Sequence, residues 1–184
     1  HVYETVRIGG LCWMSENLRS THYSDGRDIL HVYMYHSYMY PDSVANSERF
    51  GNLYNWYDAM DWETDVPAEM PERRQGICPA GWRMPTREEF EALDLWGDAL
   101  RSPLYWWDGG GDNSTGFSAL PAGYFLQSKN RYENLYYETR FWSSDYDIES
   151  QNSSILAFIA HCNQGIFAEQ SRLDAYSIRC VYDN

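Results

Sequence analysis

The residues best equipped for chemistry in this chain are four cysteines, five histidines and one acidic, glycine-rich loop. Cys12, Cys78, Cys162 and Cys180 form no C-x-x-C pair and have no histidine at ligand spacing, so a zinc site is not expected. The histidines stand at positions 1, 22, 31, 36 and 161, mostly in weakly patterned segments. His31 and His36 are five apart, which fits neither one helix face nor one strand face. No Gly-x-Ser-x-Gly elbow, phosphate loop or His-Glu-x-x-His occurs. The acid pairs Asp145 with Asp147 and Glu88 with Glu89 read as solvated and capping groups, not as a hydrolytic pair. In the loop from Asp108 through Gly109, Gly110 and Gly111, the oxygens of Asp108, Asp112 and Asn113 could hold calcium. Acidic glycine-rich turns are common without metal, so neither a metal nor a cofactor is expected, and no enzyme.

The composition narrows the partners. Net charge is −13, from 14 Lys and Arg against 27 Asp and Glu, a field that repels phosphate backbones and anionic membranes, so nucleic acid is not an expected partner. No run approaches the roughly 18 apolar residues of a membrane span, so membrane insertion is not expected. The first residues, His-Val-Tyr, do not read as a leader, and any export signal or anchor is expected to have been removed. A chain of 184 residues suits one domain over 1–184. Aromatics are 17% of residues, with 16 Tyr and 8 Trp, a share suited either to an aromatic core or to a surface that binds other molecules.

The elements that would position these residues follow from local pattern. Thr86 after Pro85 reads as a helix N-cap in a capping box with Glu89; Phe90, Leu93 and Trp96 give its apolar stripe, and Gly97 its stop. Leu53, Trp56, Tyr57 and Met60 at i, i+3, i+4 and i+7 predict an earlier helix over 52–60. Gly9-Gly10 predicts a hairpin between 5–8 and 11–14. Residues 22–47 read as irregular with room for short strands and Asp25-Gly26 a turn, and 61–75 as a surface loop. Strands are expected at 117–120, 123–127, 141–144, 154–161, 165–168 and 176–182.

Five blocks carry a family resemblance. They are Val6-Arg7-Ile8-Gly9-Gly10 through Trp13-Met14-Ser15-Glu16-Asn17-Leu18; Phe50-Gly51-Asn52-Leu53-Tyr54-Asn55-Trp56; and Gly76-Ile77-Cys78-Pro79-Ala80-Gly81-Trp82-Arg83-Met84-Pro85-Thr86-Arg87-Glu88-Glu89-Phe90. Then come Gly116-Phe117-Ser118-Ala119-Leu120-Pro121-Ala122-Gly123, and Phe141-Trp142-Ser143-Ser144 with Tyr176-Ser177-Ile178-Arg179-Cys180-Val181. In this order they resemble the Fibrobacter succinogenes major paralogous domain family. The resemblance implies an α+β, C-type-lectin-like fold, with two helices packed on antiparallel sheets and long loops, in secreted or cell-surface bacterial proteins. Some members are diversified by retroelements. It also implies a disulfide between Cys78 and Cys180, leaving Cys12 and Cys162 unpaired. The lectin triplets Glu-Pro-Asn and Gln-Pro-Asp and their partner Trp-Asn-Asp are missing, which disfavours a sugar held on calcium. Formylglycine-generating enzymes share the wider fold, but their copper chemistry needs two nearby cysteines, and a bond to Cys78 would remove Cys180.

Between two of these blocks, residues 145–174 mix large and polar side chains with little pattern and read as a ligand-facing insert. By resemblance Ile155, Ala157 and Ile159 face the core, which sets Leu156, Phe158 and Ala160 on the other face. That face is either buried too, as in a central strand, or an exposed apolar strip rimmed by Tyr146, Ile148, Gln164, Phe167, Gln170 and Leu173. The function this implies is an adhesin-like or receptor-binding module for a macromolecule, protein before glycan. The alternative is a structural module of a surface appendage or multidomain adhesin.

Overall fold

The fold starts with the hairpin. Strands β1 (Thr5–Ile8) and β2 (Leu11–Met14) pair antiparallel with Ile8 opposite Leu11. Gly9 and Gly10 take φ of 58° and 87°, the positive values a two-residue turn requires. The computed structural model describes residues 1–62, 74–93, 97–147, 149–150 and 152–182. The remaining strands are β3 (Val32–Tyr33), β4 (Leu53–Asn55), β5 (Trp82–Arg83), β6 (Ala122–Leu126), β7 (Arg131–Leu135), β8 (Glu138–Tyr146), β9 (Asn152–Ile159), β10 (Ile166–Ser171), β11 (Ala175–Tyr176) and β12 (Val181–Tyr182). Helices are α1 (Ser43–Phe50), α2 (Trp56–Ala59), α3 (Arg87–Glu91) and α4 (Gly97–Leu100).

Two sheets result. The smaller runs β1-β2-β12-β5; the larger runs β10-β9-β8-β6-β11-β4-β3, with β7 paired to β6. Among the described residues strand makes up 35% and helix 14%, in four short pieces, so the two-helix α+β, C-type-lectin-like expectation is corrected to a predominantly β architecture.

The helices differ from expectation for local reasons. The capping box forms as read: Glu89 N–H donates to Thr86 Oγ1 at 3.2 Å and Thr86 N–H to Glu89 Oε2 at 2.9 Å. The helix ends after one turn, and Gly97, expected as its stop, opens α4 instead; Trp96 lies outside the described residues. The helix expected over 52–60 is a strand followed by one turn, because β4 is paired on one side by β3 and on the other by β11. Asn55 then caps α2, accepting from the Asp58 N–H at 2.8 Å. Helix α1 was hidden in a segment read as irregular. Asp42 caps it and Gly51, at φ 79°, ends it. Most of the loop expected over 61–75 lies outside the described residues. No strand forms at 117–120, where Ala119 makes only an isolated bridge to Arg101.

Strand β9 is the centre of the core. Its Ile155 and Ala157 pack with Trp56, Trp142, Tyr176 and the Cys78–Cys180 bridge. On the opposite face Leu156 and Phe158 pack with Trp13, Phe90, Phe117 and Phe141, where the hairpin and α3 close over the sheet. The disulfide is formed between Cys78 and Cys180, whose Cα atoms are 5.9 Å apart across 102 positions of sequence; Cys12 and Cys162 are free. In the chain-entropy model a loop of that length contributes about 4–5 kcal/mol.

The expected strand 176–182 is split. Its first part, β11, belongs to the large sheet and its last, β12, to the small one, so residues 177–180 cross between them. Along this crossing, Ile178 O accepts from Leu18 N and Cys180 O from Met14 N, both at 3.0 Å. Arg179 sits in its middle, fully buried. Its Nε donates to Asn17 Oδ1 at 2.7 Å, Nη1 to Met14 O at 3.0 Å and to Phe117 O, and Nη2 to Ser118 O at 2.8 Å. Burial pushes this guanidinium below its ordinary pKa. Removing it would strand several buried acceptors, each costing about 1–3 kcal/mol when left unpaired. We therefore expect Arg179→Met to lose roughly 3–5 kcal/mol in urea unfolding, with Arg179→Lys recovering only part because an ammonium cannot reproduce the planar fork.

Candidate ligand-binding cleft

The residues expected to form one apolar binding strip do not lie together. Leu156 and Phe158 are fully buried and Ala160 is nearly so, because the hairpin and α3 cover the face they share. The exposed-strip alternative is thereby corrected in favour of a strand buried on both sides. On β10, Phe167 and Gln170 point to opposite faces of the sheet. The Phe167 ring lies on the α3 side with the Arg87 guanidinium 4.9 Å from its centre. Gln170 Oε1 accepts from Arg140 Nη1 at 3.3 Å and from the Tyr176 hydroxyl at 3.2 Å. Gln164 is exposed in the turn before β10, and Ile148 lies outside the described residues. Tyr146 is half-buried, its ring 5.8 Å from that of Trp56, with the Arg172 guanidinium over both. Leu173, 55% exposed, borders a concave site.

That site is a cleft of about 710 Å³ between the loop before β3, the α2 turn and the turn after β10. Its floor is Asp58, buried because α2 is pinned by the Asn55 cap at the end of a doubly paired strand. Asp58 Oδ2 accepts from Asn55 Nδ2 at 2.6 Å and from His31 Nδ1 at 3.0 Å. Burial raises the pKa of this carboxyl, against the opposing pull of His31 and Asn55.

One wall is Tyr23, whose hydroxyl donates to Asp58 O at 3.0 Å and whose pKa burial raises. The Asp25-Gly26 turn, closed by Gly26 N–H on Tyr23 O, returns Arg27 over the Tyr23 ring at 4.8 Å. Arg27 then forks onto Asp61 at 3.1 and 2.7 Å and reaches Asp25 at 2.7 Å. The other wall is Tyr57 with Trp62, which lies parallel to Trp56 and carries the Arg74 guanidinium 3.9 Å from its ring centre. Leu30, 80% exposed, and Leu173 form an apolar lip.

Pattern reading passed over this site because its parts are scattered. His31 stood in an unpatterned segment, and its partner Asp58 lies 27 positions on in a predicted packing helix. The one available signal was Asn55 three residues before Asp58, a cap-like spacing.

The glycine-rich loop holds a cation of its own. The buried Arg101 guanidinium donates to Asp108 Oδ2 at 3.0 Å, Asp98 Oδ1 at 3.2 Å and Gly110 O at 3.4 Å. Asp112 accepts from the Ser114 N–H and Asn113 from the Ser118 N–H, so the three oxygens considered for calcium serve the loop's own donors. Among the described residues no group of three or more His, Cys, Asp or Glu is placed to hold a metal. No helix among them is long and apolar enough to cross a membrane.

A family model, the Fibrobacter succinogenes major domain, matches residues 6–182. No curated protein and no solved structure matches the chain.

Two outcomes are expected. Phe158→Ala should lose about 3–5 kcal/mol of folding stability, measured by denaturant, as for any large aromatic removed from a packed core. Burial alone would raise the Asp108 pKa, but the His161 N–H, Arg101 and the Gly110 N–H lower it to about 2. A depressed carboxyl stabilises the fold above its unfolded value and loses that contribution as pH falls through the folded one. Asp108→Asn should therefore cost about 2 kcal/mol near neutral pH, with the gap to the parent closing between about pH 4 and pH 2.

Proposed function

Because this chain belongs to the Fibrobacter succinogenes major domain family, we propose that it is a non-catalytic binding module, secreted or displayed at the cell surface, that engages a macromolecule, protein before glycan, through the cleft around Asp58. The observation that carries this reading is the build of the cleft. Its polar groups are held by one another before any ligand arrives, Asp58 by His31 and Asn55, Asp61 by Arg27. Aromatic walls and an exposed leucine lip surround them. Preorganised polar groups within an apolar frame are how binding sites gain affinity with little ordering cost. The buried alternatives on β9 are committed to packing and cannot meet a partner without unfolding. His31 hydrogen-bonds Asp58 and no Ser, Cys or Lys among the described residues, so its imidazole serves recognition better than activation of a nucleophile.

The test is a screen of the immobilised chain against arrays of surface proteins and of glycans, repeated with Leu30→Ala and Leu173→Ala. Both leucines are exposed, so melting should not change. A partner at the cleft should lose roughly 1–3 kcal/mol of affinity when both are truncated. A bound partner indifferent to the double variant, or no partner in either array, would count against the reading.

A further inference from the structure

The cleft suits a cation more than a neutral ligand. Asp28, Asp58 and Asp61 line it and Asp25 stands beside them on Arg27, while among the described residues the guanidinium groups bonded to these acids or their loop are those of Arg27 and Arg74. Arg27 is shared between Asp25 and Asp61, and Arg74 donates to the Asp61 and Met60 carbonyls. Asp28 and Asp58 have no such partner: His22 Nε2 lies 2.9 Å from Asp28, and Asp58 accepts from His31 Nδ1 at 3.0 Å and Asn55 Nδ2 at 2.6 Å, none of them a group of fixed charge. The chain's net charge of −13 adds a field that draws cations toward the surface.

The aromatic walls add the second element. Two of the three already bear a guanidinium, Arg27 over Tyr23 at 4.8 Å and Arg74 over Trp62 at 3.9 Å. A carboxylate and a ring face together stabilise a cation where either alone is weak. Tyr57 completes the set. Among the described residues no guanidinium or ammonium lies over its ring and nothing hydrogen-bonds its hydroxyl, although it lines the same cleft.

We propose that the cleft receives a lysine or arginine side chain from a basic segment of a partner protein, seated against Tyr57 between Asp58 and Asp28. This rests on the reading of the cleft as a binding site and adds the chemistry of its occupant. A second copy of the chain is a poor occupant, since both copies would carry the same large negative charge.

The experiment titrates the intact chain by calorimetry with tetralysine, with the same peptide acetylated on every side chain, with tetraglutamate, and with the neutral sugar cellotetraose. Tetralysine should bind, the acetylated and acidic peptides should not, and added salt should weaken binding. Tyr57→Leu should weaken tetralysine by about three- to tenfold, in keeping with loss of a cation–aromatic contact. Asp28→Asn, on an exposed side chain whose loss leaves folding intact, should weaken it by about threefold. Glu88→Gln, an exposed acid on α3, should leave it unchanged. Equal losses for Glu88→Gln and Asp28→Asn would mean diffuse attraction and would overturn the proposal. So would tetralysine binding untouched by Tyr57→Leu and Asp28→Asn. If cellotetraose binds with sensitivity to Tyr57→Leu while tetralysine does not, the cleft is a binding site and the cation inference fails. If none of the four binds, both the inference and the reading beneath it fail.

Discussion

A guanidinium sealed away from water without a carboxylate in hydrogen-bond contact must be solvated by the protein's own oxygens, and Arg179 imposes that requirement on this fold. The acceptors come from the end of β2, from Asn17 and from the Phe117–Ser118 loop, segments more than sixty positions from Arg179 and from one another in places. Bringing them to one point fixes where the opening hairpin meets the crossing between the two sheets. Asn17 carries the constraint outward, its amide donating to Phe50 O at 2.8 Å and to Ser177 Oγ at 3.3 Å, which ties the end of α1 to the same centre. Cys180, the next residue, adds the covalent link to Cys78. Local bonds in a single sheet could slip register; this junction cannot do so without exposing a charge to the core.

The cost of that arrangement falls on the choice of binding surface. Because both sheets and α3 close on β9, the apolar side chains of that strand are consumed in packing, and the surface proposed for recognition lies at the loop rim. The cleft is built there, yet its parts are anchored to the junction. Asn55 and α2 follow directly from β4, which pairs with β11, and β11 leads into the crossing that carries Arg179. Tyr54, the neighbour of Asn55, is fully buried and sends its hydroxyl to Ser20 O at 2.8 Å. The loop residues proposed to hold a ligand are thus mounted on a part of the scaffold that is expensive to deform.

Local signals were legible and long-range ones were not. The Gly9-Gly10 hairpin and the Thr86–Glu89 capping box are read from residues within four positions of one another, and the structure contains both. The i, i+3, i+4, i+7 pattern from Leu53 to Met60 misled, because a strand buried on both edges and a helix turn both place large residues throughout, and only the pairing of β4 with β3 and β11 decides between them. The alternation around Leu156 and Phe158 was equally ambiguous, since nothing local states whether a second face is covered. The candidate site was the least legible part. His31, Asp58 and Leu173 are brought together by folding alone, and no spacing in the sequence relates them.

Recognition at the cleft requires β9 and its neighbours to remain closed core while a partner binds. Backbone and indole amide shifts of the labelled chain, followed by NMR as a lysine-rich peptide is added, address it most directly. Shifts should be confined to His31, Tyr57, Asp58, Trp62 and Leu173 and their sequence neighbours. Shifts centred on Gln164 and Phe167, or spread along β9, would contradict it.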